Sequence, residues 1–267
     1  MFGSLPLGKA LELLASEGFQ GVEIAPFTVF GNFSPSDIDE GIRTIRTALT
    51  QSGLTFVGFH WLFLKPEGLK LLSENPRERQ KAWEHLRILT EAAGELGGGV
   101  LVLGSPAQRS AGNTPKEMAK GYFREGLLEA AEHAHRNGSI ILLEALPSSA
   151  TDMVNTLQEV YAWVMAIDHR GLSGIFDFHN TGDEIETWDT LIQKFFPIIG
   201  HVHFNSREGS WPLPDQEGED PAYRSAFRVL KQNNYDGWIS LEIFTVPEDP
   251  RTVLRHTREF LRKVWEE

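Results

Sequence analysis

Seven short apolar runs punctuate the chain: 21–25 (GVEIA), 54–59 (LTFVGF), 100–104 (VLVLG), 140–144 (IILLE), 172–177 (LSGIFD), 198–204 (IIGHVHF) and 238–244 (WISLEIF). Runs this short and this continuous predict strands of a parallel sheet that is covered on both faces. Longer stretches between them place apolar residues at helical spacing, over roughly 5–17, 36–52, 75–96, 114–137, 151–168, 186–195, 220–233 and 249–265. Strand and helix alternate at about one strand-plus-helix unit per repeat, with no linker between them. The alternation predicts one α/β domain over residues 1–267, a (β/α)8 TIM barrel.

Helix starts are written in the polar residues. Ser34-Pro35 with Asp37, Asn75-Pro76 with Glu78, and Thr114-Pro115 with Glu117 each offer a cap oxygen, a proline at the first helical position and an acid in the first turn. Asp220-Pro221 and Asp249-Pro250 repeat the signal. Gly18, Gly53, Gly97, Gly138 and Gly171 stand where a left-handed residue ends a helix. The glycine triplet at 97–99 precedes a strand, whereas a phosphate loop follows one and opens a helix, so it is not read as a phosphate site.

The element count is uneven. Seven strands alternate with eight helices, and the sequence opens on a helix, where an eight-stranded barrel would begin with a strand. Either the start lies further upstream or the barrel wall has a gap. A missing first strand leaves two unpaired edges, which proteins seldom leave bare. An open or patched barrel is therefore expected, with a homodimer as one way to cover the edges.

Composition narrows the function. There is no cysteine, so disulfides and thiolate ligands are excluded and any metal is held by oxygen and imidazole. A net charge of −12 argues against a nucleic-acid backbone as partner. No basic segment followed by an apolar stretch opens the sequence, and no apolar run approaches the ~20 residues that span a membrane. No membrane partner is expected, and a cytoplasmic location is the default.

Barrels of this kind carry their active sites at the carboxyl ends of the strands. Glu144, Asp177, His201 with His203, and Glu242 occupy those ends on four consecutive strands. Alternation puts Ile175, Asp177 and His179 on one strand face, with Phe176 and Phe178 on the other. A buried, unpaired carboxylate costs several kcal/mol, so three converging acids call for a cation. One imidazole with three carboxylates suits Mn²⁺, Mg²⁺ or Co²⁺, and Zn²⁺ is also accommodated.

The segments GFQGVEIAP, LGGGVLVLGS, LLEALP, FDFHN, HVHF and YDGWISLE together resemble the sugar-phosphate isomerase/epimerase superfamily, the xylose isomerase-like barrels. The resemblance is greatest to their single-metal branch of ketose 3-epimerases and hydroxypyruvate isomerases. It implies that Glu144, Asp177, His203 and Glu242 bind one divalent metal. It also implies that a first strand precedes a segment like FGSLPL. The implied activity is isomerisation or epimerisation of a sugar or related hydroxy-ketone through an enediolate, with Glu144 and Glu242 transferring the proton. Alternatives are a lyase of the inosose or dehydroshikimate dehydratase type, an endonuclease IV-like repair enzyme, and an inactive sugar-binding remnant. The endonuclease would need more histidines and a basic surface.

Further residues are candidates for the pocket. His60 and Trp61 follow the second strand and either contact sugar or serve the structure. Arg109 and Arg207 follow strands and could hold a phosphate or carboxylate. His179 and Asn180 are candidate substrate contacts. Asn180 takes a position where many members of the superfamily have histidine, and an asparagine carries no proton at neutral pH. Glu23 resembles a superfamily position near the site, or is a structural acid bonded to backbone. Trp83 and Trp163 are expected to pack, and His85, His133 and His135 to lie on helix faces or at the surface.

Overall fold

The computed structural model describes residues 2–211 and 221–266. Seven strands form one parallel sheet in chain order: β1 (Gly21–Ile24), β2 (Thr55–Phe59), β3 (Val100–Leu103), β4 (Ile140–Leu143), β5 (Leu172–Asp177), β6 (Ile199–Phe204) and β7 (Ile239–Leu241). Helices α1 (Leu7–Ser16), α2 (Pro35–Ser52), α3 (Pro76–Glu95), α4 (Pro106–Arg109), α5 (Lys116–Arg136), α6 (Leu157–Ile167), α7 (Trp188–Phe195), α8 (Pro221–Gln232) and α9 (Pro250–Glu266) accompany them. This is the barrel that the alternation predicts.

Local chemistry explains most boundaries. The Ser34 hydroxyl accepts from the Asp37 N–H while the Asp37 carboxylate accepts from the Ser34 N–H, a reciprocal cap on α2. Asn75 caps α3 through the Arg77 N–H, and Asp249 accepts from the N–H groups of Arg251 and Thr252. Several expectations fail. Thr114 does not cap α5, because its hydroxyl donates to the Leu72 carbonyl instead. Gly171 is not the left-handed end of α6, a role taken by Asp168 at φ 48°. A Cβ at Gly171 would lie 1.9 Å from the Ala131 carbonyl oxygen, so the glycine serves a close approach. Helix α6 starts at Leu157 rather than 151, and β7 ends at Leu241 rather than 244. The Asp220 cap lies outside the described residues.

The outward strand faces pack under the helices. Phe178 is fully buried, with ring centroids of Trp188, Tyr223, Phe227 and Phe204 at 4.9–5.9 Å. Each such phenylalanine contributes about 1.5–3 kcal/mol by leaving water. Trp83 and Trp163 pack against Phe123, as expected. Inside the barrel, Val102, Leu142 and Ile175 form a separate apolar cluster, flanked by Val100 and Ile140. That cluster is the floor. Two residues further along each strand, on the same face, stand Gly104, Glu144 and Asp177.

Among the described residues no strand joins β7 to β1, so the sheet has a seam. Side chains patch it. Trp238, just before β7, stands against Gly21, where a Cβ would meet its ring at 2.9 Å. Outside, Leu11 and Leu14 of α1 cluster with Ala48 of α2, Leu54 and Leu254 of α9. Glu17, nearly buried, accepts from Arg251 at 2.5 Å and ties the end of α1 to α9.

Candidate active site

Strand register brings the ligand candidates together. Asp177 ends β5 directly opposite His203 on β6, and His203 faces Ser240 of β7, two residues before Glu242. Glu144 follows the last residue of β4. Exposure is 7% for Glu144, 5% for Asp177, 1% for His203 and 7% for Glu242. Glu144, Asp177 and His203 each offer a ligand atom, all within 4.8 Å of one another. Glu242 Oε2 lies 3.1 Å from His203 Nδ1, and Asp177 Oδ2 lies 3.5 Å from the same nitrogen.

These atoms fit a divalent cation. His203 Nδ1 and Glu242 Oε2 are close, yet their angles do not make a hydrogen bond, and neither has another partner among the described residues. Buried polar atoms are rarely left so, and these two converge on one place. Charge points the same way. Burial pushes the Glu144 carboxyl well above its usual range, and Asp177 and Glu242 push it further. Burial would also raise Glu242, but His203 and His60 hold it below the usual range. Burial disfavours charge on His203, but Glu242 and Glu23 outweigh it and raise this imidazole. Three carboxylates share one imidazole, and a cation would let all of them ionise.

A second set of residues holds the first. Asn180 Nδ2 donates to Glu144 Oε1 and Asp177 Oδ2, each at 3.1 Å. His60 Nδ1 and Trp61 Nε1 donate to Glu242 Oε1, each at 3.1 Å. The Glu23 side chain is 5% exposed and accepts from His201 Nε2 at 2.6 Å and His203 Nε2 at 3.1 Å. Its burial opposes charge, but the two imidazoles hold it well below the usual carboxylate range. Gly104 leaves room for Glu144, since a Cβ there would lie 2.0 Å from Glu144 Oε2.

The remaining candidates sit around this centre. The His179 N–H donates to Asp177 Oδ1 and Asn205 Oδ1, at 2.7 and 2.8 Å, and its ring meets Phe244 at 4.9 Å. Trp61, at φ 53° and 37% exposed, stacks between Phe27 and Phe244 at the mouth. Arg109 is fully buried. Its Nη1 donates to the carbonyls of Glu144 at 2.5 Å and Leu103 at 3.4 Å, and burial lowers its pKa to about 10. Arg207 is exposed, with its guanidinium 4.8 Å over the Trp188 ring. His85 is buried on its helix face and bonds the Leu62 carbonyl through Nε2 at 2.9 Å. A groove of about 520 Å³ between α3 and α5 touches none of the residues of this centre.

Sequence reasoning assigns no role to His201, Gly104, Phe27 or Phe244, and it offers Glu23 either a place near the site or a bond to backbone, where the structure gives it His201 and His203. Alternation along GHVHF was a signal for His201, which shares a face with His203. Nothing local to Gly104 announces the carboxylate it accommodates.

Residues 11–264 match the family described as the xylose isomerase-like TIM barrel. The chain belongs to that family. A curated relative of this barrel, the 3-dehydro-D-guloside 4-epimerase of Escherichia coli (strain K12), is 26% identical over 133 residues. That match spans 48% of each chain, about half the relative's length. The fructoselysine 3-epimerase of Escherichia coli O157:H7 is 21% identical over 266 residues, covering 97% of this chain and 93% of the relative. A solved structure of D-psicose 3-epimerase superposes with a TM-score of 0.81 at 19% identity, over 99% of this chain and 95% of that one, which shows the shared fold. No helix among the described residues is long and apolar enough to cross a membrane.

Proposed function

We propose that this xylose isomerase-like barrel is a divalent-metal-dependent epimerase or isomerase of a sugar or related hydroxy-ketone. The observation that carries the reading is the convergence of His203 Nδ1 and Glu242 Oε2, both buried and without hydrogen bonds, beside Glu144 and Asp177. These four residues would hold Mn²⁺, Mg²⁺ or Co²⁺. When bound, the ion would polarise a ketone and its neighbouring hydroxyl and so acidify the C–H between them.

The protein's own groups do the rest. Glu144 and Glu242 come from β4 and β7, on different sides of the mouth, and are the proton-transfer pair. Asn180 fixes Glu144, while His60 and Trp61 fix Glu242. One carboxylate takes the carbon-bound proton and the other returns one. Return to the opposite face of the same carbon gives an epimer, and return to the neighbouring carbon gives an aldose–ketose isomer. The epimerase names of the two curated relatives support epimerisation. His179 and the Trp61–Phe244 edge would contact the substrate, with Arg207 at the outer rim.

The test is solvent exchange. Metal-stripped protein resupplied with Mn²⁺ is incubated in D₂O with a panel of ketoses. Deuterium at the carbon beside the carbonyl, together with the epimeric sugar, is expected. Absence of exchange across the panel, or equal exchange without metal, would sink the proposal.

A further inference from the structure

We infer that Glu23 is the positioning residue for His203: its carboxylate fixes the imidazole with the Nε2 proton turned toward β1 and the Nδ1 lone pair turned toward Asp177 and Glu242. The inference rests on the metal-dependent reading above and adds to it the residue that orients the only imidazole of the ligand set.

An ionised carboxylate only accepts, so both histidines that reach Glu23 must present N–H groups to it. Glu23 Oε1 takes His201 Nε2 at 2.6 Å, and Oε2 takes His203 Nε2 at 3.1 Å. Both oxygens are occupied, and the side chain is buried against exchange of partners with water. A neutral imidazole protonated at Nε2 has its lone pair at Nδ1. That atom is the one lying 3.1 Å from Glu242 Oε2 and 3.5 Å from Asp177 Oδ2 without a hydrogen bond. Carboxylate-to-histidine-to-metal relays of this kind tune and orient ligands.

The same three side chains could be read as a metal site in their own right, since Glu23, His201 and His203 also offer atoms within 4.8 Å of one another. That reading would consume the nitrogen of His203 facing away from Asp177 and Glu242. It would leave His203 Nδ1 and Glu242 Oε2 unexplained. The orienting role accounts for both nitrogens of His203 at once. His201 then serves Glu23, holding Oε1 so that Oε2 stays on His203.

Two measurements decide the matter. In the unaltered protein, ¹⁵N NMR of the histidine rings is followed on adding Zn²⁺, a diamagnetic probe. Expected is a His203 ring protonated at Nε2 whose Nδ1 resonance moves on binding. Movement of Nε2 instead, for His203 and His201, would overturn the inference in favour of metal on Glu23. In Glu23→Gln, the amide brings an N–H donor against Nε2 and favours the tautomer with Nδ1 protonated. Calorimetry with Mn²⁺ should show affinity weakened about 10–100-fold, with the metal-free melting temperature recorded alongside. A purely structural Glu23 would lower that temperature and leave the Mn²⁺ affinity of the folded protein unchanged, which would overturn the inference. If Glu23→Gln does not fold, the NMR result on the unaltered protein stands as the arbiter. Failure of the unaltered protein to bind either metal sinks both this inference and the proposed function. Binding through Nε2 sinks this inference alone.

Discussion

The two sides of this barrel hold the same cluster by different means. On the wall from β3 to β6, backbone ladders set the geometry. Val100–Leu103 pair residue for residue with Ile140–Leu143, and Asp177 stands opposite His203. At the seam between β7 and β1 there is no ladder among the described residues, and side chains cross instead. Glu23 of β1 reaches His201 and His203 on β6, beyond β7. His60 and Trp61, after β2, reach Glu242, after β7. Candidate ligands on the wall are thus placed by main-chain register, His203 with the added hold of Glu23. A ligand at the seam depends on the hydrogen bonds of neighbouring site residues, so at the seam chemistry and architecture are carried by the same atoms.

The sharpest way to break this contrast is on the wall. Gly104→Ala puts a methyl where Glu144 Oε2 now sits, so the carboxylate must leave its place beside Asp177 and His203. Turnover should fall about 10²–10⁴-fold, the range lost with a general acid or base, and as far as in Glu144→Gln. More than a tenth of the activity remaining would show that the wall yields. At the seam, His60→Ala leaves Glu242 Oε1 with Trp61 alone. A hydrogen bond to a charged group is worth about 1.5–3 kcal/mol, so Mn²⁺ affinity should drop about tenfold or more by calorimetry. Metal removal should then separate the two sides without any mutation. Hydrogen exchange of metal-stripped against Mn²⁺-loaded protein should quicken at β1 and β7 and leave β3, β4 and β5 unchanged. Uniform quickening would erase the distinction. The smallest effect is expected at Glu17→Gln, which weakens the tie from α1 to the half-exposed Arg251. Such pairs contribute up to about 1 kcal/mol, or about 2–4 °C in a chain of this size, read by calorimetric melting.

The wall was also the more legible side in sequence. Its strands are continuous apolar runs, so order alone places Glu144, Asp177 and the pair His201 and His203 at their ends, whereas the choice of His203 as candidate ligand rests on the family resemblance. WISLE carries the same signature, so Glu242 is placed at a strand end in the same way. The contacts that support these ligands were not legible. Glu23 and His201 are 178 residues apart, and only barrel closure brings them together. The sequence offers Arg109 as a holder of phosphate or carboxylate because nothing near it marks burial. It is buried because the carbonyls at the ends of β3 and β4 accept from it. The apolar spacing predicts helix over 151–156, but these residues form a loop whose Asp152 and Thr151 bond to Ala111 and Ser110 across the gap to α4. Thr114 shows the same limit on a smaller scale: its sequence context is that of a cap, and a distant carbonyl claimed the hydroxyl.

One contact also gives the protein an optical readout. Of its seven tryptophans, Trp61 is the one whose indole N–H points at Glu242, and its ring stacks on Phe244 at the mouth. Indole emission responds to a charge at the nitrogen end of the ring, so drawing electron density from Glu242 toward a bound cation should shift the Trp61 fluorescence. Titration with Mg²⁺ should give a saturable emission change that is absent in Trp61→Phe. Occupancy of the centre could then be followed in real time, with no substrate and no added label.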